Sequence, residues 1–453
     1  MRDYIQSLAA AGELLVVDRE VDPRYELAAM TRRFQDTTDS AVIFTRVCGT
    51  QIPVATNLFT TRRRLNQLIG APVDGFCARW LELLGQMGQY QRAATVREER
   101  PPDLVTGALH DLPAITYHAK DAGPYFTSAI YLARDPQTRV PNLSFHRSMI
   151  VTDRELRVRL GSTHDLARYQ RQAEEQGEAL EAALLIGVGP EIFLAAAASL
   201  PTDHNELALA AAVRGSPVPT YPARTIDLEI PASAQCVVEG RFLPKERRAE
   251  GPFGEFLGYY VPVGENHVFE VTDCYWRQGA IAHSILCGSR EDLCVLEAVY
   301  GAKTYRHLKD RLPGIVDVSC APAFMNTTIK MRPQYEGHAR QVILAAFSAD
   351  LDYNRAVFAV DDDVDITNMN EVMWAFLTRG RVDTRTMVLP DIPGFYRDPH
   401  KDFWGRIGID ATKPFGREAE FERKTVPGVD NVDIASGVSR AEPGWRADPR
   451  PRG

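Results

Sequence analysis

The 453-residue sequence is most informative at first for what it lacks. No stretch approaches the ~18 uninterrupted apolar residues that a membrane-spanning helix needs, so a membrane span is not expected. The opening MRDYIQSLAAAGELLVVDRE carries acids early and has no apolar core segment, so no secretory leader is expected either. The seven cysteines are an odd number and contain no C-x-x-C, which reads as reduced, packing cysteines of a cytoplasmic protein. There is no basic excess: 60 acidic side chains face 52 basic ones, for a net charge of −8, and nucleic-acid binding therefore lacks its electrostatic footprint. No G-x-x-x-x-G-K-[ST], no strand-coupled G-x-G-x-x-G and no G-x-S-x-G occurs, which leaves P-loop, Rossmann and α/β-hydrolase chemistries without support.

What is present is ordinary globular composition, 45% apolar and 25% charged, over a length that calls for two or three domains. The first region, 1–112, reads as α/β, with helices expected at 3–11, 20–34, 62–68 and 76–87 and strands at 14–17 and 41–44. The charged, Pro-rich VREERPPD near residues 96–103 reads as a linker or long surface loop. The central region, 113–300, is rich in β-branched and aromatic runs, including 125–133, 140–152, 155–160, 183–188, 223–228, 236–241, 267–275 and 280–286. Few helices interrupt it, at 165–176, 191–200 and 205–214, so a barrel-like domain is expected. Region 301–430 returns to alternating strands and helices, a parallel-type α/β layer, and 431–453 reads as a polar tail. There is no internal repeat.

Four local constellations contain usable chemistry, and each also has a bland reading. Asn142 and Arg147 lie five apart on a strand or strand end, suiting a metal and a carboxylate or phosphate; a solvated surface strand is the commoner meaning of so short a match. His164 follows Gly161 at the head of helix 165–176, as a metal ligand or as a cap-region residue. Glu206 sits in the first turn of a strong helix former that Asp203 or Asn205 caps, as a hard-metal ligand or as an acid complementing the helix dipole. Glu250 and Glu255 bracket Gly-Pro-Phe-Gly, a turn that fixes two acids relative to each other; an exposed loop with two solvated acids would not need Phe253, Phe256, Tyr259 and Tyr260. The acidic run 361–365 lacks the Gly and distal Glu of an EF-hand and reads as a solvated strand end that starts the next helix.

In order along residues 1–420, these segments resemble the UbiD-like family of decarboxylases that use prenylated FMN. The resemblance rests on Asn142…Arg147, Gly161…His164, Glu206 to Gly215, Glu239-Gly240 and EGPFGEFLGYY from Glu250 to Tyr260. It extends to FAVDDDVDI (358–366), VMWAFLTR (372–379) and IDATK (409–413). It implies an α/β (α+β) protein with a central split β-barrel flavin-binding domain between an N-terminal α/β region and a C-terminal α/β oligomerisation domain. It further implies a divalent metal, Mn²⁺ or Mg²⁺, on Asn142, His164 and Glu206, bridging to the cofactor phosphate, with K⁺ beside it on backbone oxygens. Cofactor contacts would come from Asn142, Ser144, Phe145, His146, Arg147, Thr163, His164 and Glu206, with Lys330 as a phosphate partner. Arg147, Glu250 and Glu255 would be catalytic: Arg147 binding the substrate carboxylate and held by Glu250, Glu255 supplying the proton that replaces CO₂ after burial against Phe253 raises its pKa. Thr163, Arg290 and Leu293 would meet the substrate. The implied activity is reversible non-oxidative decarboxylation of an aromatic, heteroaromatic or α,β-unsaturated acid. A flavin prenyltransferase would supply the cofactor, and the assembly would be a homodimer or larger. A non-catalytic flavin-phosphate binder and a metal-dependent hydrolase are the competing functions.

Overall fold

The computed structural model describes residues 1–202, 204–350, 353–394 and 405–428. The expected tail 431–453 and the alternative cap Asp203 lie outside them. Helices and several sheets are mixed along the chain. In the first region, strands Leu14–Val21 and Ala41–Val47 pair in parallel, Val54–Thr56 pairs antiparallel with the second, and Ala282–His283 joins in parallel from much later in the chain. The strand Leu14–Val21 runs further than the expected 14–17, and Pro23 follows it, so the next helix begins only at Glu26. All seven cysteines are free thiols.

The central sheet has nine strands. Its pairing runs Tyr125–Phe126, Ser148–Thr152, Glu155–Val158, Gly264–Arg277, Cys236–Glu250, Leu180–Ile186, Ile130–Arg134 and Pro141–Phe145, with Leu104–Thr106 added on Gly264–Arg277. Every pairing is antiparallel. The expected barrel-like region is thus a sheet whose hydrogen-bonded path stays open. The end strand Pro141–Phe145 is nevertheless tied to Ser148–Thr152, next to the opposite end strand: only His146 and Arg147 separate them, which limits Phe145 and Ser148 to about 11 Å between Cα atoms. Arg147 stands in that short link, the seam between the two sides of the sheet.

Two strand expectations fail locally. Residues 223–228 form a loop between Val218–Pro222 and Glu229–Pro231, held by Ala223 N–H donating to Leu228 O, and only Ala282–His283 of 280–286 is a strand. Two others fall short: Cys236–Glu250 continues well past the expected Arg241, and Gly264–Arg277 starts earlier than 267. The helices follow their end signals. Asp165–Gln176 stops at Gly177, whose φ of +74° only glycine adopts freely. Glu206–Arg214 starts on Asn205, whose side chain accepts from Leu207 N–H at 2.8 Å. The Ala-rich Pro190–Ala196 and Glu206–Arg214 are almost wholly buried in the largest apolar core.

The C-terminal sheet is mixed, in the order Ile315–Ser319, Asn326–Met331, Ala356–Asp361, Arg406–Asp410, Thr386–Leu389, with parallel pairs only in the middle. The acidic run after Ala356–Asp361 is solvated only in part, with Asp362 and Asp365 exposed. Asp361 and Asp363 clamp the buried Arg379 at 2.7–2.8 Å, and Lys413 reaches Asp363 at 3.0 Å. The cations that neutralise these acids come from distant segments.

Candidate active site

Arg147 projects from the sheet seam, and Glu250 ends the strand Cys236–Glu250 opposite Gly264. After Glu250 the chain makes a small hairpin in which Phe253–Gly254 pairs with Tyr260–Val261, and Glu255 N–H donates to Tyr259 O at 2.9 Å. This turn brings both acids back to one guanidinium. Arg147 donates to both oxygens of Glu250, Nε to Oε1 at 3.1 Å and Nη2 to Oε2 at 2.9 Å. Its Nη1 donates to Glu255 Oε1. The guanidinium also lies over the Phe253 ring, 4.7 Å from its centroid. Glu250 is 1% exposed. A carboxylate so buried needs donors, and two more come from outside the predicted set: Tyr125 Oη to Oε1 and Asn266 Nδ2 to Oε2, each at 2.8 Å. Burial, reinforced by the Glu250 charge, raises the Tyr125 pKa far above its usual value, which keeps the hydroxyl a donor.

Asn142 and Glu206 meet beneath the seam. Asn142 Nδ2 and Leu143 N–H donate to the two Glu206 oxygens, each at 3.2 Å. Ser144 Oγ donates to Asn142 Oδ1 at 3.0 Å and lies 3.0 Å from His146 Nε2, and the His146 ring is 5.3 Å from that of His164. Burial pushes the Glu206 carboxyl up to about 8. Oxygen donors beside imidazoles, one of them a buried carboxyl lacking a neighbouring cation, suit a hard divalent ion. His164 precedes Asp165–Gln176 and is exposed, and its contact runs to His146.

A cavity of about 240 Å³ opens in front of Arg147 and Glu255, with Phe145, His146 and His164 on one side. Asp292, Leu296 and Tyr300 of the helix Arg290–Lys309 line it as well, with Phe324 and Tyr353. A second cavity of about 540 Å³ adjoins it through Glu255, Phe256, Arg159 and Gly161. Tyr300, Phe324 and Tyr353 form an aromatic wall with ring centroids 4.3–5.3 Å apart. Four of the expected residues, Arg290, Leu293, Lys330 and Thr163, do not line this cleft. Arg290 pairs with Asp39 at 3.0 Å and, with Leu293, lines a separate cavity of about 630 Å³. Ser289 caps the helix Arg290–Lys309, so the 3.6-residue period turns Asp292, Leu296 and Tyr300 toward the Arg147 cleft and Arg290 and Leu293 away from it. Lys330 is buried in the C-terminal sheet against Asp74, at 2.9 Å. Thr163 is exposed in the turn, where Gly161 and His164 are the cleft-lining residues. Tyr125 and Asn266, which hold Glu250, were not anticipated, and neither had a local signal in the sequence.

Three models of the 3-octaprenyl-4-hydroxybenzoate carboxy-lyase match in sequence along the chain: the N-terminal domain at residues 5–84, the Rift-related domain at 90–290 and the C-terminal domain at 294–411. The chain belongs to the UbiD family. As a UbiD-family carboxy-lyase it is 32% identical to an uncharacterized protein of the cooM 5′ region of Rhodospirillum rubrum, over 95% of each chain. It is 29% identical to the anhydromevalonate phosphate decarboxylase of Methanothermobacter thermautotrophicus, over 93% of this chain and 99% of that one. The structure of the UbiD-class enzyme HmfF from Pelotomaculum thermopropionicum in complex with FMN superposes with a TM-score of 0.86 at 31% identity, covering 96% and 99% of the two chains. The same fold occurs in apo 3,4-dihydroxybenzoic acid decarboxylase AroY from Klebsiella pneumoniae, with a TM-score of 0.84 at 24% identity over 94% and 96%. Among the described residues no helix is long and apolar enough to cross a membrane.

Proposed function

We propose that the protein catalyses the reversible, non-oxidative decarboxylation of an aromatic, heteroaromatic or α,β-unsaturated carboxylic acid with prenylated FMN. The observation that carries this reading is the guanidinium of Arg147, held by Glu250 and shared with Glu255 at the mouth of a cleft, in a UbiD-family chain. HmfF has been solved with FMN and, in an evolved dimeric form, with prFMN, which supports a flavin here and a homo-oligomer. A flavin prenyltransferase would then supply the cofactor. Asn142, Glu206 and His164 would hold Mn²⁺ or Mg²⁺ against the cofactor phosphate, and K⁺ would lie beside it on backbone oxygens. Ser144, Phe145 and His146 would line the same end. When bound, prenylated FMN supplies the electron sink that makes loss of CO₂ feasible.

The protein's part is to bind, orient and deliver a proton. Arg147 takes the substrate carboxylate, and Glu250 fixes the plane of the guanidinium by its paired hydrogen bonds. The substrate carboxylate displaces Glu255 from Arg147. The freed Glu255 carboxylate takes up a proton from solvent. Glu255 then delivers that proton to the carbon that CO₂ has left, and solvent returns it to the carboxylate. The test is CO₂ release from a panel of such acids by cofactor-loaded protein, with and without added Mn²⁺. Release from at least one acid, dependent on the prenylated flavin, is expected; CO₂ release that persists undiminished without flavin would overturn the prenylated-FMN reading.

A further inference from the structure

We infer that Asp121 is a positioning residue for the proton donor, acting through the Gly254 amide to set the backbone from which Glu255 reaches Arg147 and the substrate. This deepens the decarboxylase reading and rests on it. Among the described residues, Phe253–Gly254 and Tyr260–Val261 form a two-stranded sheet of their own, outside the large sheets. The tip of this hairpin closes on itself, Glu255 N–H donating to Tyr259 O and Gly258 N–H to Glu255 O, each at 2.9 Å. Two strands alone are marginal in water. The tip therefore takes its place beside Arg147 from whatever grips the Phe253–Gly254 strand from outside.

That grip comes from the turn just before Tyr125. Asp121 Oδ1 accepts from Gly254 N–H at 2.9 Å, and the next residue, Ala122, donates its N–H to Pro252 O at 2.9 Å. The Asp121 side chain is wholly buried. Its Oδ2 accepts from His118 N–H at 2.8 Å and lies 3.3 Å from His118 Nδ1, so both oxygens are engaged. Tyr125, at the end of the same stretch, donates to Glu250. Residues 118–125 thus tie the turn down at Glu250, Pro252 and Gly254, and the last tie adjoins Glu255. Gly254 fits the same purpose: its φ lies outside the left-handed region, yet a Cβ there would stand 2.4 Å from His118 Nδ1. Glycine lets the strand close onto the Asp121 turn. Glu255 has to part from Arg147 when substrate binds and then meet one carbon within proton-transfer reach, where a drift of about 1 Å can cost about 100-fold. A carboxylate that only stabilised the fold would leave the rate of the folded enzyme unchanged.

The test compares Asp121→Ala with wild type, both loaded with prenylated FMN and well below their melting temperatures. kcat for CO₂ release should fall about 10- to 100-fold with KM for the acid no higher, and the solvent deuterium isotope effect on kcat should rise as proton delivery becomes the slow step. In hydrogen–deuterium exchange of FMN-loaded protein, followed by mass spectrometry, the peptide spanning residues 253–260 should exchange about tenfold faster or more. Gly254→Ala, whose methyl pushes the strand off His118, should reproduce these effects even where Asp121→Ala does not fold. The double variant His118→Ala/Gly254→Ala should recover most of the lost rate, because removing the imidazole clears the space while the residue 118 N–H still donates to Asp121. An Asp121→Ala enzyme with wild-type kcat and isotope effect, or a double variant as slow as Gly254→Ala, would overturn the inference and leave the decarboxylase reading in place. A wild type that releases CO₂ from no acid of the panel would remove the decarboxylase reading; faster exchange of 253–260 in the variants would still show Asp121 holding the hairpin, and unchanged exchange would remove that too.

Discussion

Replacing Glu250 by Gln changes one oxygen to an NH₂ and little else, and four donors converge on that group. Arg147 Nε and Tyr125 Oη meet Oε1, and Arg147 Nη2 and Asn266 Nδ2 meet Oε2. Whichever way the new amide turns, its nitrogen faces one guanidinium N–H and one neutral group. The neutral group adapts: the Tyr125 hydroxyl rotates, or the Asn266 amide flips, to accept. The guanidinium has no acceptor to offer, so one charge-assisted hydrogen bond is lost, about 1.5–3 kcal/mol. Arg147 then leans on Glu255, its remaining anion, which binds the proton donor more firmly as a carboxylate. We expect kcat/KM to fall about 10- to 150-fold, with KM for the acid raised because the substrate carboxylate must displace a more firmly held Glu255. The assay is steady-state CO₂ release by cofactor-loaded protein, with flavin absorbance and circular dichroism confirming equal loading and folding. A Glu250→Gln enzyme within about threefold of wild type would show that this carboxylate does not hold Arg147 for turnover.

Glu255→Gln should abolish turnover while the flavin stays bound, seen as unchanged flavin absorbance after gel filtration. Glu206→Ala should lower both metal content, measured by plasma mass spectrometry, and FMN retention, because Asn142 and Leu143 N–H lose their shared partner. Tyr125→Phe should cost about 1.5–3 kcal/mol through the lost bond to Glu250, read as a lower melting temperature and a lower kcat. Burial raises the Glu297 carboxyl to about 7. A raised acid binds its proton more tightly folded than unfolded, so its ionisation lowers stability as pH climbs from about 4.5 to 7, by on the order of 3 kcal/mol. Glu297→Gln, which still accepts from the Ala323 and Phe324 amides, should therefore gain melting temperature relative to wild type as pH rises through that window.

Local signals carried the helix ends and the segments that meet at the site. Asn205, a cap residue by type, caps its helix in the structure, and Gly177 closes Asp165–Gln176. The Gly-Pro-Phe-Gly turn announces two acids in fixed relation, and both reach Arg147. Long-range pairing was not legible. Cys236–Glu250 runs through Lys245-Glu246-Arg247, where a register shift and the positive φ of Lys245 break the period-two pattern that identifies a strand. Lys330 finds Asp74, and Asp361 and Asp363 find Arg379, across the fold rather than along the chain. Arg290 lies away from the Arg147 cleft, because the helix face a residue takes depends on where the helix starts, and Ser289 sets that.

The most direct test follows the proton. Cofactor-loaded wild-type protein turning over an accepted acid in D₂O should place one deuterium on the carbon that carried the carboxylate, and it should exchange that hydrogen in the isolated product. Glu255→Gln should do neither while still holding flavin. Deuterium incorporation by Glu255→Gln at the wild-type rate would contradict the assignment of the proton to this carboxyl, and with it the account of how the cleft works.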